Sequence, residues 1–258
     1  MAKSALLKSS LAKKYWMAAT GLFLCTFLVA HLSGNFQILI PGWAGKLQFN
    51  EYAVFMTSFA PIKILSYVTY ASILFHTIDG ILLTLKNKEA RPVAYAYERP
   101  EANSKWASRN MGILGTIILV FITAHMSDFY YQYKFGEVPY MMSENGMYPI
   151  LKTGEEIAGG LVNAEGMVEQ NGKIIGPAMK DLHTEVVESF KQPALVVFYV
   201  LSMLALAFHL SHGFKSAFQS LGINHKKYNG MIQALGYFMA IAVPIGFAII
   251  PIVVYLNN

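Results

Sequence analysis

Residues 16–40 read WMAATGLFLCTFLVAHLSGNFQILI, twenty-five residues without an Asp, Glu, Lys or Arg. At ~1.5 Å per residue, a helix of this length crosses the ~30 Å hydrocarbon core of a bilayer. One titratable side chain, His31, lies inside it. An ionisable group at membrane depth is costly and marks a candidate functional site. A lone histidine of this kind is equally at home hydrogen-bonded between helices, so its meaning depends on histidines elsewhere at the same depth.

The rest of the chain has the same character. Of its 258 residues, 55% are hydrophobic and 14% charged, with a mean hydropathy of +0.41. That composition belongs to a multi-spanning membrane protein and excludes an ordinary soluble domain. The first apolar run is too long for a signal-peptide core and no small-residue cleavage site follows it, so the span is expected to stay. The single cysteine, Cys25, lies within it, which leaves no internal disulfide and no cysteine-based metal motif. A pI near 9.1 reads as charge asymmetry across a membrane, and nucleic acid is not an expected partner.

The expected fold is an all-α membrane protein. Five transmembrane helices form a bundle, at about 16–40, 61–85, 110–133, 193–218 and 231–255, in a single membrane domain over 1–258. A basic amphipathic lead-in occupies 1–15. Residues 41–60 form a turn and a surface helix, with Trp43 and Tyr52 suited to the interface. Pro61 opens the second span, and Pro244 and Pro251 kink the last. Residues 134–192 are polar. The Asn171-Gly172 pair predicts a hairpin, and apolar spacing at Leu182, Val186 and Phe190 predicts a helix over 180–190. This segment reads as a small folded cap outside the bilayer.

Charge sets the expected orientation. The N-terminus, the 86–109 loop and the 215–230 turn share one side and hold 13 of the 20 Lys and Arg, with Glu89, Glu98 and Glu101 as their acids. The other side has seven lysines and ten acids. Positive residues stay cytoplasmic, which puts the N-terminus inside and both the 134–192 cap and the C-terminus outside.

Depth then sorts the histidines. Counted at ~1.5 Å per residue from the nearest inner-side charge, His31 lies ~25 Å deep and His125 ~24 Å, against ~15 Å for His76 and ~9 Å for His209. Spans I and III supply an outer pair, spans II and IV an inner pair. Two imidazoles from facing helices are the axial ligands of an electron-carrying haem iron, so two pairs suit two stacked haems. Gly34, Gly80 and Gly213 follow three of these histidines by three or four residues and leave room for a porphyrin or for close helix packing. His212 and Asp79 each lie three residues from a proposed ligand and are expected to pair below the inner haem.

Four motifs carry a family resemblance: ATGLFL followed after six residues by His31, FHTIDG around His76, TAHMSDF around His125, and FHLSHG around His209. Together they resemble the single-chain di-haem cytochrome b subunit that anchors bacterial succinate dehydrogenase and fumarate reductase complexes. The resemblance covers all five spans but not 134–192. It implies two haem b groups, the outer held by His31 and His125, the inner by His76 and His209. It selects His209 over His212. It also implies a flavoprotein and an iron–sulfur subunit on the cytoplasmic face, electron exchange with a membrane quinone (menaquinone by analogy), a bacterial inner membrane, and room for a dimer or higher oligomer of the complex. Glu51 stands where the family has a glutamate in quinone proton transfer. Asn35, Gln37 and Asp128 are further quinone-site candidates, and Lys105 and Arg109 are candidates for the inner haem's propionates. Ala207 replaces a glutamate that some members use for transmembrane proton movement, and the long 134–192 segment is a second departure.

Two other readings remain open. One is the quinone-reactive cytochrome b of a hydrogenase or formate dehydrogenase. The other is a haem-free proton-coupled transporter, which predicts broken helices around the histidines.

Overall fold

A computed structural model describes residues 10–90, 102 and 104–257. The protein is mostly helical, 74% by residue. Five helices are long and apolar enough to cross a membrane: Leu11–Leu39, Ala60–Glu89, Met111–Phe135, Pro193–Ser220 and Lys226–Leu256. These are the five expected spans. Residues 1–9 of the expected basic lead-in and part of the 86–109 loop lie outside the described residues, while 10–15 are helical and continuous with the first span.

In chain order, α1 (Ser10–Asn35) runs into a 3₁₀ turn (Phe36–Leu39). It is followed by α2 (Gly42–Ser58), α3 (Ala60–Glu89), the short α4 (Trp106–Arg109) and α5 (Met111–His125). A π-helical segment, Met126–Tyr131, joins α5 to α6 (Gln132–Phe135). Strands β1 (Leu161–Val162), β2 (Met167–Gln170) and β3 (Lys173–Pro177) precede α7 (Leu182–Ser189) and α8 (Pro193–Ser220). The last span is α9 (Lys226–Tyr237), a second π segment (Phe238–Ala242) and α10 (Val243–Leu256).

The second π segment has a local cause. Pro244 has no N–H and its ring would clash with the carbonyl four residues back, and a wider turn through Ala240 relieves that contact. The first π segment has no proline near it. It begins directly after His125 and carries Asp128. The helix widens by this π turn and continues to Phe135.

Contacts divide the chain into two units. The first comprises Met1–Leu32, Ser66–Phe121 and Tyr199–Ala248. Its interior includes Ala107, Leu114 and Ala205 with Ile118 packed against them, and Phe121 meets Tyr199 edge-on at 4.9 Å. Leu74, Ile113, Val120 and Leu201 of this unit remain more than half exposed. In water so many exposed aliphatic residues would be unfavourable, whereas lipid covers them at no cost.

The second unit comprises Ser33–Leu65, Ile122–Phe198 and Ile249–Asn258. It contains a three-stranded antiparallel sheet in the order β1-β2-β3. Gln170 pairs with Lys173 across the predicted hairpin, and Asn171 and Gly172 both take positive φ, 52° and 74°, the geometry of a type I′ turn. Leu151, Ile157, Val168 and Ala178 form the cap's apolar centre. Met141, Ile150 and Met179 pack on Trp43, Leu47 and Val54 of α2. The cap is thus folded onto the expected surface helix. Helix α7 forms as its spacing predicts, with Asp181 as N-cap and Val186 and Phe190 buried.

Candidate functional site

His76 and His209 come together inside the first unit. Their ring centroids stand 6.2 Å apart with planes inclined at 65°. Helix α3 supplies His76 and α8 supplies His209, while α1 and α5 press on the rings from the sides. A Cβ added at Gly21 of α1 would stand 3.2 Å from His76 Cε1, and one at Gly115 of α5 would stand 3.8 Å from His209 Cε1. Gly21 therefore makes space that a side chain would take from the His76 ring.

Two contacts from α1 hold the His76 ring, a hydrogen bond with the Met17 backbone and one with Thr20. The ring Nδ1 lies 3.3 Å from Thr20 Oγ1. The Thr20 hydroxyl hydrogen is already directed at the backbone carbonyls of Trp16 and Met17, at 2.9 and 3.1 Å. The hydroxyl oxygen is therefore the acceptor and Nδ1–H the donor. That leaves Nε2 unprotonated, with its lone pair available to a metal, the arrangement in which an outer partner fixes the tautomer of a ligating histidine. The same back-bond keeps Thr20 compatible with helix in an apolar setting.

His209 supplies the second observation. Among the described residues, its Nδ1 is a buried side-chain nitrogen with no hydrogen-bond partner. Such an orphan costs about 1–3 kcal/mol unless something outside the chain satisfies it. Two imidazoles from facing helices would hold a haem iron between them, and α3 and α8 bring the His76 and His209 rings together at 6.2 Å. Among the described residues no group of three or more His, Cys, Asp or Glu gathers as a metal site, but a haem iron takes only two ligands from the protein in the bis-histidine form.

The remaining predicted residues divide between the units. In the first, His31 stacks on Phe27 at 5.2 Å and 14° and meets Phe247 at 5.7 Å. Asp79 lies within electrostatic reach of His76, and Lys105 within reach of His212. No ion pair joins Asp79 to His212, so the expected pairing is not formed. The Arg109 guanidinium bonds the Ser104 carbonyl. Gly80 and Gly213 meet only Met17 and Met111 at ordinary contact distance.

In the second unit, His125 stands edge-on to Phe129 at 5.5 Å, and Phe129 meets Phe190 at 5.8 Å. Asn35 closes α1, and Asp128 lies in the π segment. Gln37 accepts a hydrogen bond from Gln48 at 3.1 Å. Glu51 is exposed one helical turn beyond Gln48, with its carboxylate against the 151–154 turn of the cap; a Cβ at Gly154 would stand 2.6 Å from Glu51 Oε1. Gly34 does not make room for a porphyrin. A Cβ there would stand 2.5 Å from the Tyr52 hydroxyl, so the glycine admits the Tyr52 ring.

A buried polar cluster that sequence reasoning missed fixes α2 to the cap. Asn50, with no exposed surface, donates to Asp181 at 2.9 Å and accepts from the His183 N–H at 3.0 Å. Lys46 reaches the same carboxylate at 2.5 Å, and the Thr184 N–H and hydroxyl donate to it at 3.1 and 2.8 Å. Burial by itself raises the Asp181 pKa, but Lys46, Asn50 and Thr184 outweigh it and hold the carboxyl below its usual range.

No protein-family model, no curated protein and no solved structure matches the chain.

Proposed function

We propose that this chain is the membrane-anchor cytochrome b subunit of a succinate:quinone oxidoreductase, a succinate dehydrogenase or quinol:fumarate reductase. The observation that carries the reading is the His76–His209 pair, 6.2 Å between ring centres, with Thr20 bonded to Nδ1 of His76. These residues fit a bis-histidine haem b. The sequence motifs extend the proposal to a second haem held by His31 and His125.

When bound, the two haems supply one-electron transfer between an iron–sulfur subunit and a membrane quinone. The chain's own residues orient and insulate. Thr20 holds the His76 ring, Gly21 clears its surroundings, Gly115 packs beside His209 at ordinary contact distance, and aliphatic helix faces exclude water. Glu51 carries the proton exchanged with the quinone, and Gln37, Asn35 and Asp128 are the further residues of the quinone site. Lys105 and Arg109 would meet the propionates of the inner haem. A flavoprotein and an iron–sulfur subunit dock on the cytoplasmic face of a bacterial inner membrane, where the basic loops lie.

The test is to purify the full chain from its native membrane with its partners and add substrates. Bound flavin, iron–sulfur centres and haem reducible by succinate are expected. Haem reduced by hydrogen or formate, and not by succinate, assigns the chain to another respiratory dehydrogenase. Absence of haem leaves the proton-coupled transporter.

A further inference from the structure

The turn between the last two spans holds a feature that electron transfer does not use. No Asp or Glu occurs after Glu188, yet Lys215, Lys226 and Lys227 cluster around this turn. Its backbone is fixed. Gly222 takes φ +75°, and the Gly222 and Ile223 N–H groups bond the Gln219 and Phe218 carbonyls at 3.1 and 3.0 Å, closing α8 in a Schellman motif. His225 Nδ1 then accepts from the Lys227 N–H at 3.2 Å, and the Lys227 ammonium lies 5.5 Å from the Tyr228 ring centre.

Between the ends of these helices is a cavity of about 60 Å³, lined by Lys215, Gln219, Asn224 and Asn229 and walled on the apolar side by Ile223 and Ile232. One buried water takes ~10–15 Å³ on this measure, so the space admits a tetrahedral anion. The side chains of Lys215, Gln219, Asn224 and Asn229 make no hydrogen bond or ion pair to the rest of the described chain. An ammonium and three amides therefore line one cavity, and no carboxylate of the described residues pairs with them. Both flanking helices are of membrane-crossing length, so their turn meets a bilayer surface.

We infer that this turn binds the phosphate of an anionic glycerophospholipid of the phosphatidylglycerol class. Lys215 and the amides hold the phosphate, Lys226 and Lys227 supply long-range attraction, and Ile223 and Ile232 border the first acyl carbons. Basic pockets at helix ends gain about 1 kcal/mol per lysine near an anionic surface, roughly a five-fold affinity each. The site stands independently of haem binding.

The experiment is native mass spectrometry of the full chain released from nanodiscs of equal phosphatidylglycerol and phosphatidylcholine. The wild type is expected to retain phosphatidylglycerol preferentially. Lys215→Gln with Lys227→Gln should lose that preference about twenty-five-fold, and Asn224→Leu with Asn229→Leu should lose it without a change of charge. Unchanged selectivity in both variants overturns the inference. Inorganic phosphate displacing the lipid at equal concentration overturns it in favour of a free-anion site. Variants that keep lipid selectivity but lose co-purifying polypeptides overturn it in favour of an acidic protein surface.

Discussion

Thr20 Oγ1 lies 3.3 Å from His76 Nδ1 while its own hydrogen points at the Trp16 and Met17 carbonyls. A Thr20 oxygen that accepts here places the ring proton on Nδ1 and leaves Nε2 unprotonated. Thr20→Val removes the acceptor and keeps the shape. Outer partners of ligating histidines are worth 10–100-fold in affinity for the bound group. Thr20→Val is expected to weaken haem retention by that factor and shift the inner haem's midpoint potential, while Thr20→Ser restores both. Redox titration of the purified variants checks it.

Two glycines beside the rings should respond oppositely. In an exposed helix interior Gly→Ala gains about 1 kcal/mol in propensity. Gly115→Ala places its methyl at ordinary contact distance, 3.8 Å from His209, and should keep that gain. Gly21→Ala places it 3.2 Å from His76 Cε1 and must displace the ring. Thermal melting and haem content are expected to rise or hold for Gly115→Ala and to fall for Gly21→Ala.

The cap should be acid-labile. Asp181 is held below the usual carboxylate range by Lys46, Asn50 and Thr184 against the opposing effect of burial. Its stabilisation is complete above the unfolded value of about 3.9 and is lost as pH falls through the lower folded value. Asp181→Ala leaves Lys46 and Asn50 without their shared partner and is expected to cost about 3 kcal/mol or more at neutral pH, and to flatten the acid dependence. Limited proteolysis of the 134–192 segment between pH 2 and 7 reads both effects.

Glu51 abuts Gly154, whose φ of +87° is a conformation that glycine favours. If Glu51 transfers the quinone's proton, Glu51→Gln should slow quinone turnover about 10²–10⁴-fold and leave reduction of the haems by succinate unchanged. Gly154→Ala strains the turn and displaces the carboxylate, so it should lower the same step by a smaller factor. Stopped-flow haem reduction measured beside steady-state quinone reduction separates the two steps.

The spans were legible because each is a long uncharged run, a one-dimensional property. The hairpin was legible because Asn171 and Gly172 suit positive φ at neighbouring positions. The meeting of His76 and His209 agrees with the pairing that depth counting along separate helices gives. The surroundings of the rings were not legible, since Gly21 and Gly115 act across helix–helix contacts and no same-helix spacing points to them. At Gly34 it is the packing alternative that the structure shows, with Tyr52, eighteen residues on, as the neighbour. The Asn50–Asp181 bond joins residues 131 apart and has no local signature. The π segment after His125 has no proline to announce it.

The central claim is that His76 and His209 hold one haem between them. The most direct measurement is the reduced-minus-oxidised visible spectrum, with haem-to-protein ratio, of the purified wild type and of His76→Ala and His209→Ala. Two b-type haems per chain in the wild type and one in each variant, with the same haem lost from both, are predicted. A wild type without haem, or variants that keep the full wild-type ratio, would contradict the account.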